Sequence, residues 1–207
     1  QFGWLVEAYS LETGGFKELP SGASTGFDVD DFMAKLRVNS DRLGDSYQEL
    51  ELKLGYTGEA SDETYLGLTD EDFGRNPLVR YPASGADLMQ ADHSQIQLRH
   101  FWTAGNADVT TTAYRNNFSR NWYKLQSVLG TSISSVLGTP EDNTSALGIL
   151  RGGASDPDAL SVRANNREYF GQGVQSSLGL TMGLHELELG ARFHQDEEDR
   201  FQWEDGF

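Results

Sequence analysis

The chain has 207 residues, no cysteine, and 16 basic against 32 acidic side chains, for a formal net charge of −16. That charge argues against nucleic acid and anionic lipid headgroups as partners, and the missing cysteine excludes disulfides and thiolate metal sites. No stretch of about 18 apolar residues exists, which excludes a helical membrane span but leaves open a β-barrel, whose strands need only about 9–11 residues each.

The pattern along the chain is period two. Phe2 to Ala8 forms a first strand with Trp4, Val6 and Ala8 on one face. A polar segment follows Ser10, in which Asp28-Val-Asp-Asp lacks the glycine and distal glutamate of a calcium loop. Phe32, Ala34, Leu36 and Val38 then alternate with Asp31, Met33, Lys35 and Arg37. After the turn Ser40–Asp45, Leu50, Leu52, Leu54 and Tyr56 alternate with Glu49, Glu51, Lys53 and Gly55. The pair reads as a hairpin with one apolar and one charged face. A basic side chain on a lipid-facing midplane costs about 2–4 kcal/mol, so the leucines are placed toward lipid and Lys35, Arg37, Glu49, Glu51 and Lys53 toward a lumen.

The segment after Tyr56 is long and acidic, with Glu59, Asp62, Glu63, Asp70, Glu71 and Asp72. Its Thr69-Asp-Glu-Asp run predicts a capped helical turn. Ile96, Leu98, His100 and Trp102 then alternate with Gln95, Gln97, Arg99 and Phe101, and the chain turns at Thr103–Asn106. The returning strand runs from Ala107 to about Arg115 and continues through Phe118, Trp122 and Tyr123 to Lys124. A long segment follows. The last hairpin pairs Val174, Ser176, Leu178 and Leu180 with Leu187, Leu189, Ala191 and Phe193 across Met182-Gly-Leu184. Its other face carries Gln175, Ser177, Glu186, Glu188, Arg192 and His194, and a further polar segment with Asp196 to Asp199 is expected after Phe193.

Short turns at one end, long loops at the other and dyad-patterned strands between define an antiparallel transmembrane β-barrel with long extracellular loops. A soluble β-sandwich also alternates, but Greek-key sandwiches do not keep strict short–long order or charge along whole polar faces. Roughly seven strands cannot close a bacterial barrel, whose strand number is even, so residues 1–207 read as an internal portion of a longer barrel. No charged and apolar leader precedes Gln1, which fits a processed or mid-protein start.

No nucleophile elbow, phosphate loop or zinc-protease motif occurs, so no catalysis and no cofactor is expected. His93, His100, His185 and His194 lack ligand spacing, and His185 and His194 are placed at opposite ends of one strand. The informative polar residues are Arg120, in Phe118-Ser-Arg-Asn-Trp-Tyr, and Arg167, in Asn165-Asn-Arg-Glu-Tyr-Phe. Both fall where a strand enters a long loop among aromatic rings. Paired guanidinium groups there would grip a carboxylate-bearing anion, or else pair with the loop acids.

At these residues the chain resembles TonB-dependent outer-membrane receptors, and among them the ferric citrate receptor type. The resemblance rests on Gly15-Phe-Lys-Glu-Leu, Asp30-Asp-Phe-Met-Ala-Lys-Leu, Tyr56-Thr-Gly-Glu-Ala, Leu66-Gly-Leu-Thr-Asp-Glu-Asp-Phe, Asn165-Asn-Arg-Glu-Tyr-Phe and His185-Glu-Leu-Glu-Leu-Gly-Ala-Arg-Phe. It implies a barrel of about 22 strands around a plug, energised through TonB. It also implies that Arg120 and Arg167 bind an anionic ferric chelate such as ferric citrate or a siderophore. The plug and remaining strands lie outside this chain, and the outer membrane with its lipopolysaccharide is the expected surrounding. Gly130 to Arg163 is an insertion relative to that family. Competing readings are a passive porin, an outer-membrane hydrolase and a soluble sandwich binding module.

Overall fold

A computed structural model describes residues 1–41 and 44–207. The chain is all-β, 63% strand and 11% helix, and its strands form one eight-stranded antiparallel sheet that does not close. Strands β1 (Phe2–Thr13), β2 (Phe27–Asn39), β3 (Ser46–Ser61), β4 (Leu88–Ala104), β5 (Ala107–Val128), β7 (Leu160–Met182) and β8 (His185–Gly206) pair in chain order, and the two-residue β6 (Thr131–Ser132) pairs only with β5. Helix α1 (Asp70–Arg75) and a 3-10 turn (Pro82–Ser84) lie between β3 and β4; α2 (Ile133–Gly138) and α3 (Thr144–Leu150) lie between β6 and β7. Residues 42 and 43 of the expected Ser40–Asp45 turn lie outside the described residues.

Register turns the sequence alternation into two faces. One rung runs Trp4–Leu36–Leu52–Leu98–Ala113–Val174–Phe193 across all seven long strands. The next rung runs Leu5–Lys35–Lys53–Gln97–Tyr114–Gly173–His194, and because side chains alternate it faces the other way. The apolar face is not covered by a second layer: Trp4 is 70% exposed, Leu98 43% and Phe193 73%. Toward the long loops the apolar band of this face turns polar at Asp30 on β2 and Gly58 on β3, beyond Phe32 and Tyr56, but already at Arg115, Gln172 and Gln195 on β5, β7 and β8. The rung of Asp30 also carries Asp92, Glu168 and Asp199. The band covers Phe2–Ala8, Phe32–Val38, Leu50–Tyr56 and Ile96–Trp102, but on the later strands it sits nearer the short turns, at Val109–Ala113, Val174–Leu180 and Leu187–Phe193. Such a slant is what strands tilted to a common plane produce.

Three expectations about extent are corrected. β8 does not end near Phe193 but continues to Gly206, pairing with β7 throughout, so Asp196–Asp199 are strand residues rather than loop. His194 consequently lies in mid-strand, hydrogen-bonded through Nδ1 to the Tyr114 hydroxyl at 2.9 Å, and not at the strand's far end. Arg120 and Arg167 also stand within paired strand, not at its last residues. The physical reason is the same in each case: β5, β7 and β8 are 22, 23 and 22 residues long, about twice what crossing a bilayer requires, and their outer halves form a wall beyond the apolar band.

The buried core of the described residues is at the long-loop end. Leu66, Tyr81, Leu125, Val128, Ile133, Val136, Ala146, Leu147 and Leu150 form one cluster, joining the loop 62–87 and the loop 129–159 to the outer end of β5. Thr69 caps α1 as expected, its hydroxyl accepting from the Asp72 amide at 3.3 Å. Buried Asp72 fastens the two loops: it accepts from Arg151 Nε and Nη2 at 2.9 Å each and from the Tyr81 hydroxyl at 2.7 Å.

Candidate functional site

The register that builds the wall aligns its cations. Arg120 on β5 is the direct cross-strand partner of Arg167 on β7, and Arg167 is the direct partner of Arg200 on β8. Adjacent strands are about 4.8 Å apart, so the three guanidinium groups spring from one rung about 10 Å long. All three lie on the polar face, the face of Lys53 and Tyr114. Four residues further out, Lys124 pairs with Arg163. Five cations thus gather on the polar wall of a chain whose net charge is −16.

Their partners differ. Arg167 is committed: Nε donates to Asn165 Oδ1 at 3.2 Å, Nη1 donates to the Tyr169 hydroxyl at 3.0 Å, and Nη1 lies 3.4 Å from Glu198 Oε1. Arg163 is ion-paired with Glu204. Among the described residues Arg120 makes no ion pair; its guanidinium carbon lies 5.4 Å from the centre of the Trp122 ring, and its Nε is buried without a hydrogen-bond partner there. A buried, unsatisfied charged donor costs about 1–3 kcal/mol or more, and an anion bound here would remove that cost. Arg200, on the exposed outer strand, makes no ion pair among the described residues.

Lys124 lies well beyond the apolar band, its ammonium 4.4 Å from the centre of the Trp122 ring and 4.8 Å from that of Tyr65. Partial burial, and then the charges of Arg163 and Arg120, hold its pKa below the ordinary lysine value against the opposing pull of Asp87. Tyr65 is fixed over it by an edge-on contact with Trp122, ring centres 5.7 Å apart, and by donating to the Leu125 carbonyl at 2.7 Å. The site is therefore an electropositive, aromatic-walled surface on strands, covered on one side by the loop 62–87.

Both arginines expected from sequence are brought together. Arg200, Lys124 and Arg163 were not anticipated. Arg200 had a legible signal: the short turn Met182–Leu184 makes Met182 and His185 partners, and counting equal steps from that turn sets Arg200 opposite Arg167. Among the described residues no group of three or more His, Asp or Glu side chains is arranged to hold a metal ion. No protein-family model matches the chain, and neither the curated proteins nor the solved structures contain a match to it.

Proposed function

We propose that this chain is part of the barrel of a TonB-dependent outer-membrane receptor that binds an anionic ferric chelate, such as ferric citrate or a siderophore, for import. The observation that carries the reading is the rung Arg120–Arg167–Arg200 with the Arg120 Nε left unsatisfied. Like charges directly opposite on a sheet repel, so three in succession are a standing cost that a multiply charged anion offsets. The site binds and does not catalyse, and release needs a change in affinity, which in this receptor class comes from the plug and the TonB complex.

The architecture supports the membrane part of the reading. A single sheet exposes its apolar face, bounds it with aromatic and then acidic residues, and keeps its short turns at one end. A sandwich would cover that face with a second sheet, and none is present among the described residues. The acidic edge at Asp30, Asp92, Glu168 and Asp199 is where lipopolysaccharide, through divalent cations, is the expected neighbour. A passive anion-selective porin could also line its pore with arginines, and is separated from this reading by the lack of saturable, tight ligand binding.

The test is titration of the detergent-solubilised full-length protein with ferric citrate, followed by tryptophan fluorescence. Wild type is expected to saturate, and the Arg120→Ala/Arg167→Ala pair to bind at least about a hundredfold more weakly, since each charged hydrogen-bonding group contributes about 1.5–3 kcal/mol. Saturation unchanged in the double variant would sink the site.

A further inference from the structure

Beside the rung, on the same face, lies an open-mouthed cleft of about 620 Å³ beneath the loop 62–87. Phe27, Tyr65, Leu66, Met89 and Trp122 give it a largely apolar and aromatic wall, to which Glu59, Ser61 and Thr64 add polar groups. Two of its charged lining residues, Lys17 and Glu63, neutralise each other in an ion pair. Arg80 is different. Its Nη1 donates to the Pro77 and Val79 carbonyls at 3.1 and 2.7 Å, while its Nε is buried with no partner.

The cleft and the rung share a wall. Trp122 lines the cleft, and the guanidinium of Arg120 and the ammonium of Lys124 both lie against its ring. A ligand whose charge is held by Arg120 is thus within one side chain of the cleft. A compact polyanion would engage the arginines alone and leave the aromatic walls wet and the Arg80 Nε unsatisfied. A ligand carrying an aromatic arm would cover those walls, and a carbonyl in the link to that arm would accept from Arg80. Volume and lining fall within what small-molecule sites use: mostly apolar, with few convergent polar groups.

We infer that the cleft is a second subsite of the chelate site, selecting a carboxylate chelator that bears an aromatic arm over a bare polycarboxylate. This rests on the reading of the rung as an anion site, and goes beyond it by naming the ligand's second half. Selectivity then comes from the loop 62–87 and affinity for charge from β5, β7 and β8.

Two probes separate these contributions: ferric citrate, and the ferric chelate of citrate monobenzylamide, titrated against the full-length protein in detergent. Wild type is expected to bind the benzyl chelate about tenfold more tightly, the scale of burying one small apolar group. Gly67 lines the cleft and accepts a leucine without a clash, since an added Cβ meets nothing within 4 Å. Gly67→Leu is expected to abolish the preference while changing ferric citrate binding by less than about twofold. Arg80→Ala is expected to weaken the benzyl chelate alone. Equal affinity of wild type for both probes, or variants that shift both equally, overturns the inference. If Arg120→Ala leaves both probes unchanged, the rung reading fails instead, and a benzyl preference still sensitive to Gly67→Leu would belong to the cleft by itself.

Discussion

Arg120 on β5 stands directly across from Arg167 on β7, on the same face of the sheet, and among the described residues Arg167 has an acid beside it, Glu198, while Arg120 has no ion pair. The asymmetry matters. Glu198 reaches Arg167 from the neighbouring strand β8, and a bound carboxylate would have to displace it, whereas Arg120 makes no ion pair among the described residues. If the pair holds one anion across both strands, as proposed, Arg120 is expected to be the stronger contributor.

A rung of like charges should carry a cost to folding that is separable from binding. Replacing Arg200 by Gln removes one member without creating a cavity, because the side chain is exposed. The expected outcome is a slightly more stable protein, by about 0.2–1 kcal/mol in urea unfolding, that binds ferric citrate less well. Arg167→Gln is expected to lose binding without that gain, since Glu198 would lose its counter-charge. A loss of stability in Arg200→Gln would mean that the rung is a structural ion network and not a vacant anion site.

How far the sequence reached is visible in particular residues. The hairpins were legible because leucine–charge alternation is strongest where one face must be apolar, as from Leu50 to Tyr56. The cap at Thr69 was legible because a hydroxyl with a carboxylate three residues on is a local chemical signal. The outer half of β8 was not. From Gln195 to Arg200 both faces are polar, so Asp196–Asp199 give no alternation and look like loop, although β7 pairs with each of them and Phe201 and Trp203 resume the period of two beyond. Helices α2 and α3 carried a weak signal in the three- and four-residue spacing of Ile133, Val136 and Leu137 and of Ala146, Leu147 and Leu150. The contact of the two loops through Asp72 and Arg151 joins residues far apart in sequence and had no local signal at all.

The two faces make opposite demands. Leu98 belongs to the apolar rung and Gln97, its chain neighbour, to the polar one. Leu98→Arg is expected to cost about 2–4 kcal/mol in a lipid environment, and Gln97→Arg close to nothing. The readout is the fraction of protein that folds into detergent micelles, judged by its heat-modifiable gel mobility. Equal tolerance of both substitutions would contradict a lipid-facing Leu98.

Gly173 on β7 is glycine because of what lies over it. A Cβ there would come within 2.5 Å of the Phe193 carbonyl oxygen and 2.7 Å of the Tyr114 hydroxyl. That hydroxyl accepts from Arg192 Nη2 at 2.8 Å and bonds to His194 Nδ1. The backbone contact cannot be relieved by a rotamer change. Gly173→Val is expected to destabilise the sheet by about 1–3 kcal/mol, and Tyr114→Phe in that background to recover little of it. Full recovery would place the strain at the tyrosine tip rather than the β8 backbone.

The loop cap contains two buried aspartates whose pH responses have opposite signs. Burial pushes the Asp87 carboxyl above its ordinary pKa, and hydrogen bonds from the Thr64 hydroxyl and the Leu125 amide recover only part of that cost. Its protonation therefore favours the folded cap, and stability rises as pH falls through its folded pKa toward the unfolded value. Asp72 is also disfavoured by burial, but hydrogen bonds from Tyr81, Arg151 and Thr69 outweigh this and hold its pKa below the ordinary value. Its contribution is full above the unfolded value, about 3.9, and is lost as pH falls through the lower folded pKa. The cap should therefore be most stable in mildly acidic solution, with the protection of its amide hydrogens at α1 and α3, relative to the unstructured exchange rate, falling off both near neutrality and in strong acid. Asp87→Asn is expected to flatten the neutral limb, and Asp72→Asn to weaken the cap by about 1–3 kcal/mol above the Asp72 folded pKa, with the difference vanishing in strong acid where Asp72 is itself protonated. Protection factors that rise steadily from pH 4 to pH 8 in the wild-type protein would refute the role given to Asp87.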